Sequence, residues 1–263
     1  MSALARERVP FLGVTVTPLR VEQLIPVIGD FLNDGQVHTI AGHNLHSVTL
    51  CHSDEAFFDF YQNSDVVLMD GAPVVYLWGS RNEHQGRRVE YRLGSTDWIP
   101  ELFRLPQIQR VLVVGSTPEA NLLGVARLQE ILPDATVQGL HGSDWDQGLE
   151  RQFLNLAHDF KPQLVLLGLG MPLQEHVLLR NKEALPPATY CTVGGAIDQL
   201  GGVQRLAPRW LGRMGFEWAW RLMLHPSRVA SRVFVEPWIL GCILARKKIQ
   251  RFRKKRALKK SRS

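Results

Sequence analysis

The chain has 263 residues, of which 45% are hydrophobic and 21% are charged, a balance that is typical of a folded globular protein and excludes wholesale disorder. Its net charge of +6 is unevenly distributed, because 11 basic residues and no acidic residue lie between Arg246 and Arg262. The rest of the chain has 20 basic against 25 acidic residues. This distribution excludes a uniformly basic protein that coats nucleic acid and predicts an acidic body with a cationic tail.

The cysteines and the apolar segments indicate the compartment. Three widely spaced cysteines form no CxxC pair, which predicts reduced thiols and a cytoplasmic protein. The first residues lack the apolar run and the cleavage site of a signal peptide. The longest apolar stretch near the C-terminus, residues 233–244, is shorter than the roughly 20 residues that a membrane-spanning helix needs. We therefore expect no transmembrane segment.

Along residues 1–202, apolar runs of strand length alternate with amphipathic segments of helix length. The predicted strands cover residues 37–42, 65–71, 110–116, 135–140, 163–170 and 189–196. The predicted helices cover residues 46–63, 118–132, 148–160 and 171–185. Continuous apolar strands require helices on both faces, and strand–helix alternation implies right-handed crossovers and a mostly parallel sheet. The sequence therefore predicts a Rossmann-like α/β domain over residues 1–202.

The composition changes after residue 202. Residues 203–234 interleave arginines with tryptophans, and a lysine-rich tail follows. No Pro/Ser-rich linker separates this region from the body. We expect residues 203–263 to form a helical, arginine-rich appendage that docks on the body.

Three predicted strands end in unusual residues, and ligands bind at the carboxyl ends of parallel strands. The first of these residues is Asp70, which precedes Gly71, a residue that permits a sharp turn. A carboxylate at this place can act as a general base toward a bound substrate. Taken alone, the position of Asp70 favours an Asx turn or a helix N-cap over the role of a base.

A second strand ends in Gly168 and Gly170 and is followed by Pro172 at the start of a predicted helix. Such a turn exposes backbone N–H groups at a helix N-terminus, where phosphate binds favourably. Gln174 and Glu175 lie in the first helical turn and are expected to reach the same ligand. A helix-capping pattern is the alternative.

The third strand end reads VGGAID. Gly194 and Gly195 allow the backbone to approach a ligand closely, and Asp198 is expected to contact a ribose or sugar hydroxyl. Arginines downstream are expected to neutralise a diphosphate, namely Arg205, Arg209, Arg221, Arg228 and Arg232.

The sequence predicts no metal site. Asp144 and Asp146 form a DxD pattern of the kind that holds a cation in many sugar transferases, but they lie in a polar turn before a helix. That context favours turn and N-cap roles. The histidines form no HxxxH pair with a third ligand nearby.

Taken together, these motifs resemble those of the WecG/TagA/CpsF family of bacterial glycosyltransferases (glycosyltransferase family 26). In chain order they are Asn44, DVVLMDGAPVV (65–75), YRLGSTD (91–97), VLLGLGMPLQE (165–175), VGGAIDQLGG (193–202) and the RLAPRW, GFEWAWRL and HPSR sequences of residues 205–228. The resemblance covers residues 9–232. Several unusual patterns in the same order make it far more specific than any one of them.

The resemblance implies an inverting, metal-independent transferase without a cofactor. Such an enzyme moves a sugar from a UDP-sugar to a polyprenyl-diphosphate-linked sugar acceptor during synthesis of a cell-surface polysaccharide. It also implies that Asp70 is the catalytic base. The residues that it implies for the substrate pocket are Asn44, Arg92, Asp97, Gly168, Gly170, Gln174, Gly194, Gly195, Asp198, Arg221, Arg228 and Arg232.

One position departs from the family pattern. Family members often carry Thr-x-Asn at the end of the early strand, whereas this chain reads Gly42-His43-Asn44. Either His43 or Ser47 replaces the missing hydroxyl, or the donor sugar differs. Asn44 is expected to bind a sugar hydroxyl, to hold Asp70, or simply to cap the following helix.

The polybasic tail suits a protein whose acceptor is held in a membrane. Each basic residue close to an anionic leaflet contributes about 1 kcal/mol to binding, and apolar side chains within residues 233–263 can insert at the interface. We therefore expect peripheral association with the inner face of the cell membrane. A disordered solubilising tail is the alternative.

The sequence also bears on nucleic-acid binding, on oxidoreductase activity and on the oligomeric state. No nucleic-acid partner is expected, because the body is acidic and the densest basic stretch carries one aromatic residue. A nucleotide- or dinucleotide-binding oxidoreductase on a similar sheet is the alternative function, although no GxGxxG follows the first strand. The sequence leaves a homo-oligomer open.

Overall fold

The computed structural model describes residues 4–80, 89–204, 220, 223, 238–242 and 244–245. Its first elements, β1 (Glu7–Arg8) and β2 (Thr15–Val16), pair as a small antiparallel hairpin. The centre is a six-stranded sheet of β3 (Val37–His43), β4 (Val66–Met69), β5 (Arg110–Gly115), β6 (Thr136–Leu140), β7 (Leu164–Gly168) and β8 (Ala188–Thr192). Its spatial order is β4-β3-β8-β7-β5-β6, and every neighbouring pair is parallel.

The strands form where the apolar runs predict them. Strands β4, β5, β7 and β8 are buried along nearly their whole length, as a sheet covered on both faces requires. The edge strand β6 is the exception, because three of its five residues are exposed. Three of the predicted strands end earlier than expected, and Gly71, Gly170, Gly194 and Gly195 belong to the turns that follow β4, β7 and β8, whereas Gly168 is the last residue of β7.

Nine α-helices surround the sheet in the described part of the chain. They are α1 (Val21–Phe31), α2 (Leu45–Ser53), α3 (Glu55–Asn63), α4 (Ala72–Trp78), α5 (Ser95–Trp98), α6 (Pro118–Ile131), α7 (Gln147–Phe160), α8 (Leu173–Arg180) and α9 (Ala196–Leu200). Helices α2, α3, α4, α7 and α8 share one apolar cluster with the side chains on one face of the sheet. Helices α1, α5, α6 and α9 share a second cluster with the other face. The predicted α/β fold is confirmed.

The segment that the sequence predicts as one helix over residues 46–63 is two helices. Asp54 lies between α2 and α3 with an extended backbone, φ −128° and ψ 111°, and its carboxylate accepts a hydrogen bond of 3.0 Å from the backbone N–H of Phe57. An aspartate N-cap therefore starts a new helix inside a continuous amphipathic pattern. The helix predicted over residues 171–185 is also shorter, since α8 ends at Arg180.

Only part of the predicted appendage belongs to the described residues. Leu240 is buried in the apolar cluster that contains α2, α3, α7 and α8, whereas Trp238 is 77% exposed. Arg221, Arg228 and Arg232 lie outside the described residues, so the division at residue 202 stays a prediction. Among the residues that the structure describes, no helix is long and apolar enough to cross a bilayer.

Candidate active site

A cavity opens at the carboxyl edge of the sheet, where the ends of β3, β4 and β8 meet. Strand β3 leads into α2 on one face of the sheet, and its neighbour β8 leads into α9 on the other face. Chain connections that diverge in this way leave a crevice between the strand ends, which is the usual ligand site of such folds. The sequence-predicted residues that line the cavity are Asn44, Asp70, Arg92, Gly170, Gly194 and Gly195.

Asp70 lies in this cavity because the turn that contains it is hydrogen-bonded to the end of β3. The backbone N–H groups of Asp70 and Gly71 both donate to the carbonyl oxygen of His43, at 3.0 and 3.1 Å. The N-cap residue of α4 is Gly71, so Asp70 does not cap that helix. A Cβ atom on Gly94 would lie 2.4 Å from Oδ1 of Asp70, which shows how closely the carboxylate approaches this backbone.

Asn44 both caps a helix and lines the cavity. Its Oδ1 accepts from the backbone N–H of Ser47 at 3.0 Å, and Oγ of Ser47 accepts from the backbone N–H of Asn44 at 2.9 Å. This reciprocal pair is a capping box at the start of α2, as one of the sequence interpretations predicts. Because Oδ1 is engaged, the amide N–H groups are what Asn44 can offer to a ligand.

His43 and Ser47, the residues suggested to replace the hydroxyl that Gly42 lacks, do not line the cavity. His43 is 1% exposed and Ser47 is fully buried, and Nδ1 of His43 lies 3.0 Å from Oγ of Ser47. The His43 ring stacks on Tyr61 with 4.2 Å between ring centroids. Burial lowers the pKa of His43 to about 3, so the imidazole is neutral at physiological pH. This geometry does not favour the suggested replacement of the missing hydroxyl, which stays a prediction.

The R-x-G-x-x-D element forms a local unit at the cavity edge. Asp97 Oδ2 accepts from the backbone N–H of Gly94 at 2.9 Å and lies 3.4 Å from Nη2 of Arg92. The backbone N–H of Leu93 donates to the carbonyl oxygen of Met69 at 2.8 Å, which joins the unit to the end of β4. Arg92 lines the cavity, whereas Asp97 is exposed outside it and holds the arginine.

The two glycines at the end of β7 and in the turn after it have different positions. Gly170 lines the cavity, but Gly168 lies behind it, in close contact with the turn after β8. A Cβ atom on Gly168 would lie 2.5 Å from Cδ1 of Ile197 and 2.7 Å from the carbonyl oxygen of Gly194. The structure therefore gives Gly168 a packing position and not the ligand contact that the sequence predicts.

Gln174 is likewise behind the cavity wall. Its side chain is fully buried, and its Oε1 accepts a hydrogen bond of 3.2 Å from the backbone N–H of Gly194. Its Nε2 donates to Oε1 of Glu175 at 2.8 Å. Both polar atoms of the amide are therefore engaged within the protein. Gln174 therefore supports the turn that contains Gly194. This geometry does not favour the predicted direct contact of Gln174 with a ligand.

Asp198 lies beside the end of β5 and not in the cavity wall. The hydroxyl of Ser116 donates to Oδ1 of Asp198. Ser116 directly follows β5 and has a left-handed backbone, with φ +66°. Sequence reasoning missed Ser116, although its place as the last residue of the predicted strand 110–116 was an available signal. The cavity also contains Thr192 and Gln199, which the motif analysis did not single out.

The DxD pattern is a turn and cap, as predicted. Oδ1 of Asp146 accepts from the backbone N–H of Leu149 at 2.8 Å and caps α7, and Asp144 has a left-handed backbone with φ +53°. Within the described residues, no group of three or more His, Cys, Asp or Glu side chains is arranged to hold a metal ion.

Comparison with known proteins identifies the family of the chain. The model of the "Glycosyl transferase WecG/TagA/CpsF family" matches residues 9–254. A Bacillus subtilis protein named N-acetylglucosaminyldiphosphoundecaprenol N-acetyl-beta-D-mannosaminyltransferase is 25% identical, over 76% of this chain and 76% of its own. A Staphylococcus aureus protein of the same name is 20% identical, over 93% of this chain and 95% of its own. The chain with the Asp70 cavity therefore belongs to the WecG/TagA/CpsF family and is a glycosyltransferase.

Proposed function

We propose that this chain transfers a sugar from a UDP-sugar to a polyprenyl-diphosphate-linked sugar acceptor during synthesis of a cell-surface polysaccharide. The observation that carries the proposal is the half-buried carboxylate of Asp70 in the cavity at the carboxyl edge of the sheet. The names of the two relatives support a lipid diphosphate acceptor and an N-acetylhexosaminyl type of transfer. Membership of a glycosyl transferase family argues against the oxidoreductase alternative.

The proposed reaction is a single displacement with inversion. The acceptor hydroxyl attacks the anomeric carbon from the face opposite the nucleotide, and the bond from that carbon to the diphosphate oxygen breaks. Asp70 takes the proton of the attacking hydroxyl as general base. The electron pair of the broken bond leaves with UDP, whose diphosphate gains negative charge.

Cationic side chains and backbone N–H groups are proposed to stabilise the leaving UDP without a metal ion. Arg92 lies in the cavity beside Asp70 and supplies a guanidinium group there. Arg221, Arg228 and Arg232 are proposed to close over the diphosphate. Asn44, Gly170, Gly194 and Gly195 form the remaining proposed contacts of the cavity.

The function is tested by assaying a panel of UDP-sugars, including UDP-N-acetylmannosamine, with a short-chain polyprenyl diphosphate N-acetylglucosamine. We expect one donor to give a product that is heavier by one sugar, with an anomeric configuration opposite to that of the donor. Activity is expected to persist in EDTA. If no UDP-sugar is consumed while NAD shifts the thermal transition, the proposal is wrong.

We also propose that residues 233–263 bring the enzyme to an anionic membrane surface. The neighbouring side chains of Trp238 and Ile239 are 77% and 44% exposed, and they precede the basic residues 246–262 in the sequence. In flotation with vesicles that contain phosphatidylglycerol, the full chain is expected to float and a chain without residues 233–263 to stay at the bottom. Equal flotation of both chains would contradict this role of the tail. Flotation that is lost in 1 M salt would indicate binding by charge, and flotation that persists would indicate apolar insertion.

A further inference from the structure

The first turn of α8 buries two polar side chains that do not line the cavity. Gln174 and Glu175 are both fully buried. They form a continuous chain of hydrogen bonds to the cavity wall, in which Gln174 Nε2 donates to Glu175 Oε1 at 2.8 Å and the backbone N–H of Gly194 donates to Gln174 Oε1 at 3.2 Å. A buried carboxyl group is costly unless its polar atoms are satisfied, so its presence here needs a reason.

Burying the carboxyl group of Glu175 costs free energy of folding. Burial raises its pKa to about 7, because the charged form loses its hydration. Its Oε2 has no hydrogen-bond partner among the described residues. Burial and, after it, the nearby charge of Glu175 raise the pKa of Tyr61, whose hydroxyl donates to the carbonyl oxygen of Gly42 at 3.1 Å. Glu175 therefore lies near both the β3 side and the β8 side of the cavity.

The hydrogen bond to Glu175 sets the orientation of the Gln174 side-chain amide. The two ends of a glutamine amide are nearly equal in shape, but one end donates and the other accepts. The backbone N–H of Gly194 requires an acceptor. Since Oε1 of Glu175 accepts, Gln174 must direct its N–H group toward Glu175 and its oxygen toward Gly194. With an apolar residue at position 175, the amide orientation that serves Gly194 would leave the buried Gln174 N–H group without an acceptor, so that orientation would lose its advantage.

The position of Gly194 depends on this bond. Gly194 has a left-handed backbone with φ +53°, and its carbonyl oxygen packs against Gly168. Gly194 and Gly195 line the cavity that also contains Asp70. We propose that Glu175 is a positioning residue for sugar transfer: by holding the Gln174 amide in one orientation, it fixes the Gly194–Gly195 wall of the cavity. This inference rests on the proposed function for its link to transfer.

The experiment compares three variants of the full chain. Glu175→Leu removes the acceptor, Glu175→Gln keeps an acceptor without the charge, and Leu178→Ala is the control, because Leu178 is buried on the same helix outside the hydrogen-bond chain. The readouts are amide hydrogen exchange of Gly194 and the KM and kcat of transfer with the UDP-sugar. Glu175→Met is the second variant if Glu175→Leu does not fold, since an unbranched side chain fits irregular space.

Glu175→Leu is expected to accelerate exchange at Gly194 and to raise the KM for the UDP-sugar, each about tenfold, because the buried N–H group of Gln174 loses its acceptor and the amide orientation that serves Gly194 loses its advantage. Its kcat is expected to change less. Glu175→Gln should stay within about twofold of the wild type on both readouts, because its own amide oxygen still accepts. Leu178→Ala should lower the thermal transition and leave Gly194 exchange and KM unchanged.

Three results would overturn the inference: unchanged exchange at Gly194 in Glu175→Leu, an equal effect of Leu178→Ala, or an equal loss in Glu175→Gln. The last would assign the effect to the charge and not to the acceptor. If Gly194 exchange responds as expected but the wild type consumes no UDP-sugar, the structural role of Glu175 stands and the proposed function fails.

Discussion

Asp70→Asn is expected to lower the kcat of sugar transfer by about 10² to 10⁴-fold, because an amide cannot take the proton of the attacking hydroxyl. The amide has nearly the same shape as the carboxylate, so the turn that hydrogen-bonds to His43 should persist. Binding of the UDP-sugar, measured by calorimetry, should therefore stay within about threefold of the wild type, since one pair of similar polar groups is exchanged.

The matched control is Asp65→Asn, at the other end of the same strand. Oδ2 of Asp65 accepts a hydrogen bond of 2.8 Å from the backbone N–H of Thr39, a bond that an asparagine oxygen can also accept. The kcat of Asp65→Asn should equal that of the wild type. Wild-type turnover in Asp70→Asn, or an equal loss in both variants, would contradict the assignment of Asp70 as the base.

Gly115→Ala is expected to lower the free energy of unfolding by about 3 to 5 kcal/mol, as the sum of backbone strain and overpacking. Gly115 ends β5 with φ +125°, a conformation that side chains rarely adopt. A Cβ atom there would lie 2.4 Å from the backbone carbonyl carbon of Gly168, at the end of the neighbouring strand β7. A backbone atom in a central strand cannot move aside as a flexible side chain can.

Urea unfolding measures this loss, and Gly35→Ala provides the control. Gly35 also has a left-handed backbone, with φ +68°, but no atom lies within 4 Å of its Cβ position. This variant should lose about 1 kcal/mol from backbone strain alone. Equal losses in the two variants would show that the close approach of β5 and β7 contributes nothing to stability.

The part of the site that the sequence predicts well depends on local geometry. Asp70, Gly170 and Gly194 each follow an apolar strand, and the carboxyl ends of parallel strands necessarily share one edge of the sheet. Their convergence therefore follows once the strands are recognised. The apolar runs identify the strands because a sheet between two helical layers needs apolar residues on both faces.

The expectations that the geometry does not favour concern contacts between residues that are distant along the chain. The sequence predicts that Gln174 reaches a ligand from the first turn of a helix, but its side chain accepts a hydrogen bond from the backbone of Gly194, 20 residues later. Asp198 is bonded to Ser116, which is 82 residues away. No local pattern shows which of two available partners a polar side chain meets, because the packing of separate elements decides it.

The break between α2 and α3 shows a related difficulty. The apolar spacing of residues 46–63 continues across Asp54, so periodicity alone predicts one helix. The cap signal at Asp54 was present in the sequence, but the backbone there turns because the two helices pack against different neighbours, including α8 beside α3. Tertiary packing then selects the capped break over the continuous helix.

The sequence by itself determined the parallel α/β fold, the family resemblance and the place of Asp70 at a strand end. These follow from the order of apolar runs, glycine turns and polar strand ends, that is, from periodicity and from residues adjacent in the chain. Only the tertiary structure separated the residues that line the cavity from those that support it. Whether a side chain at a strand end faces a ligand or another loop is decided by the distance and direction between elements, and these are set when the two faces of the sheet are packed.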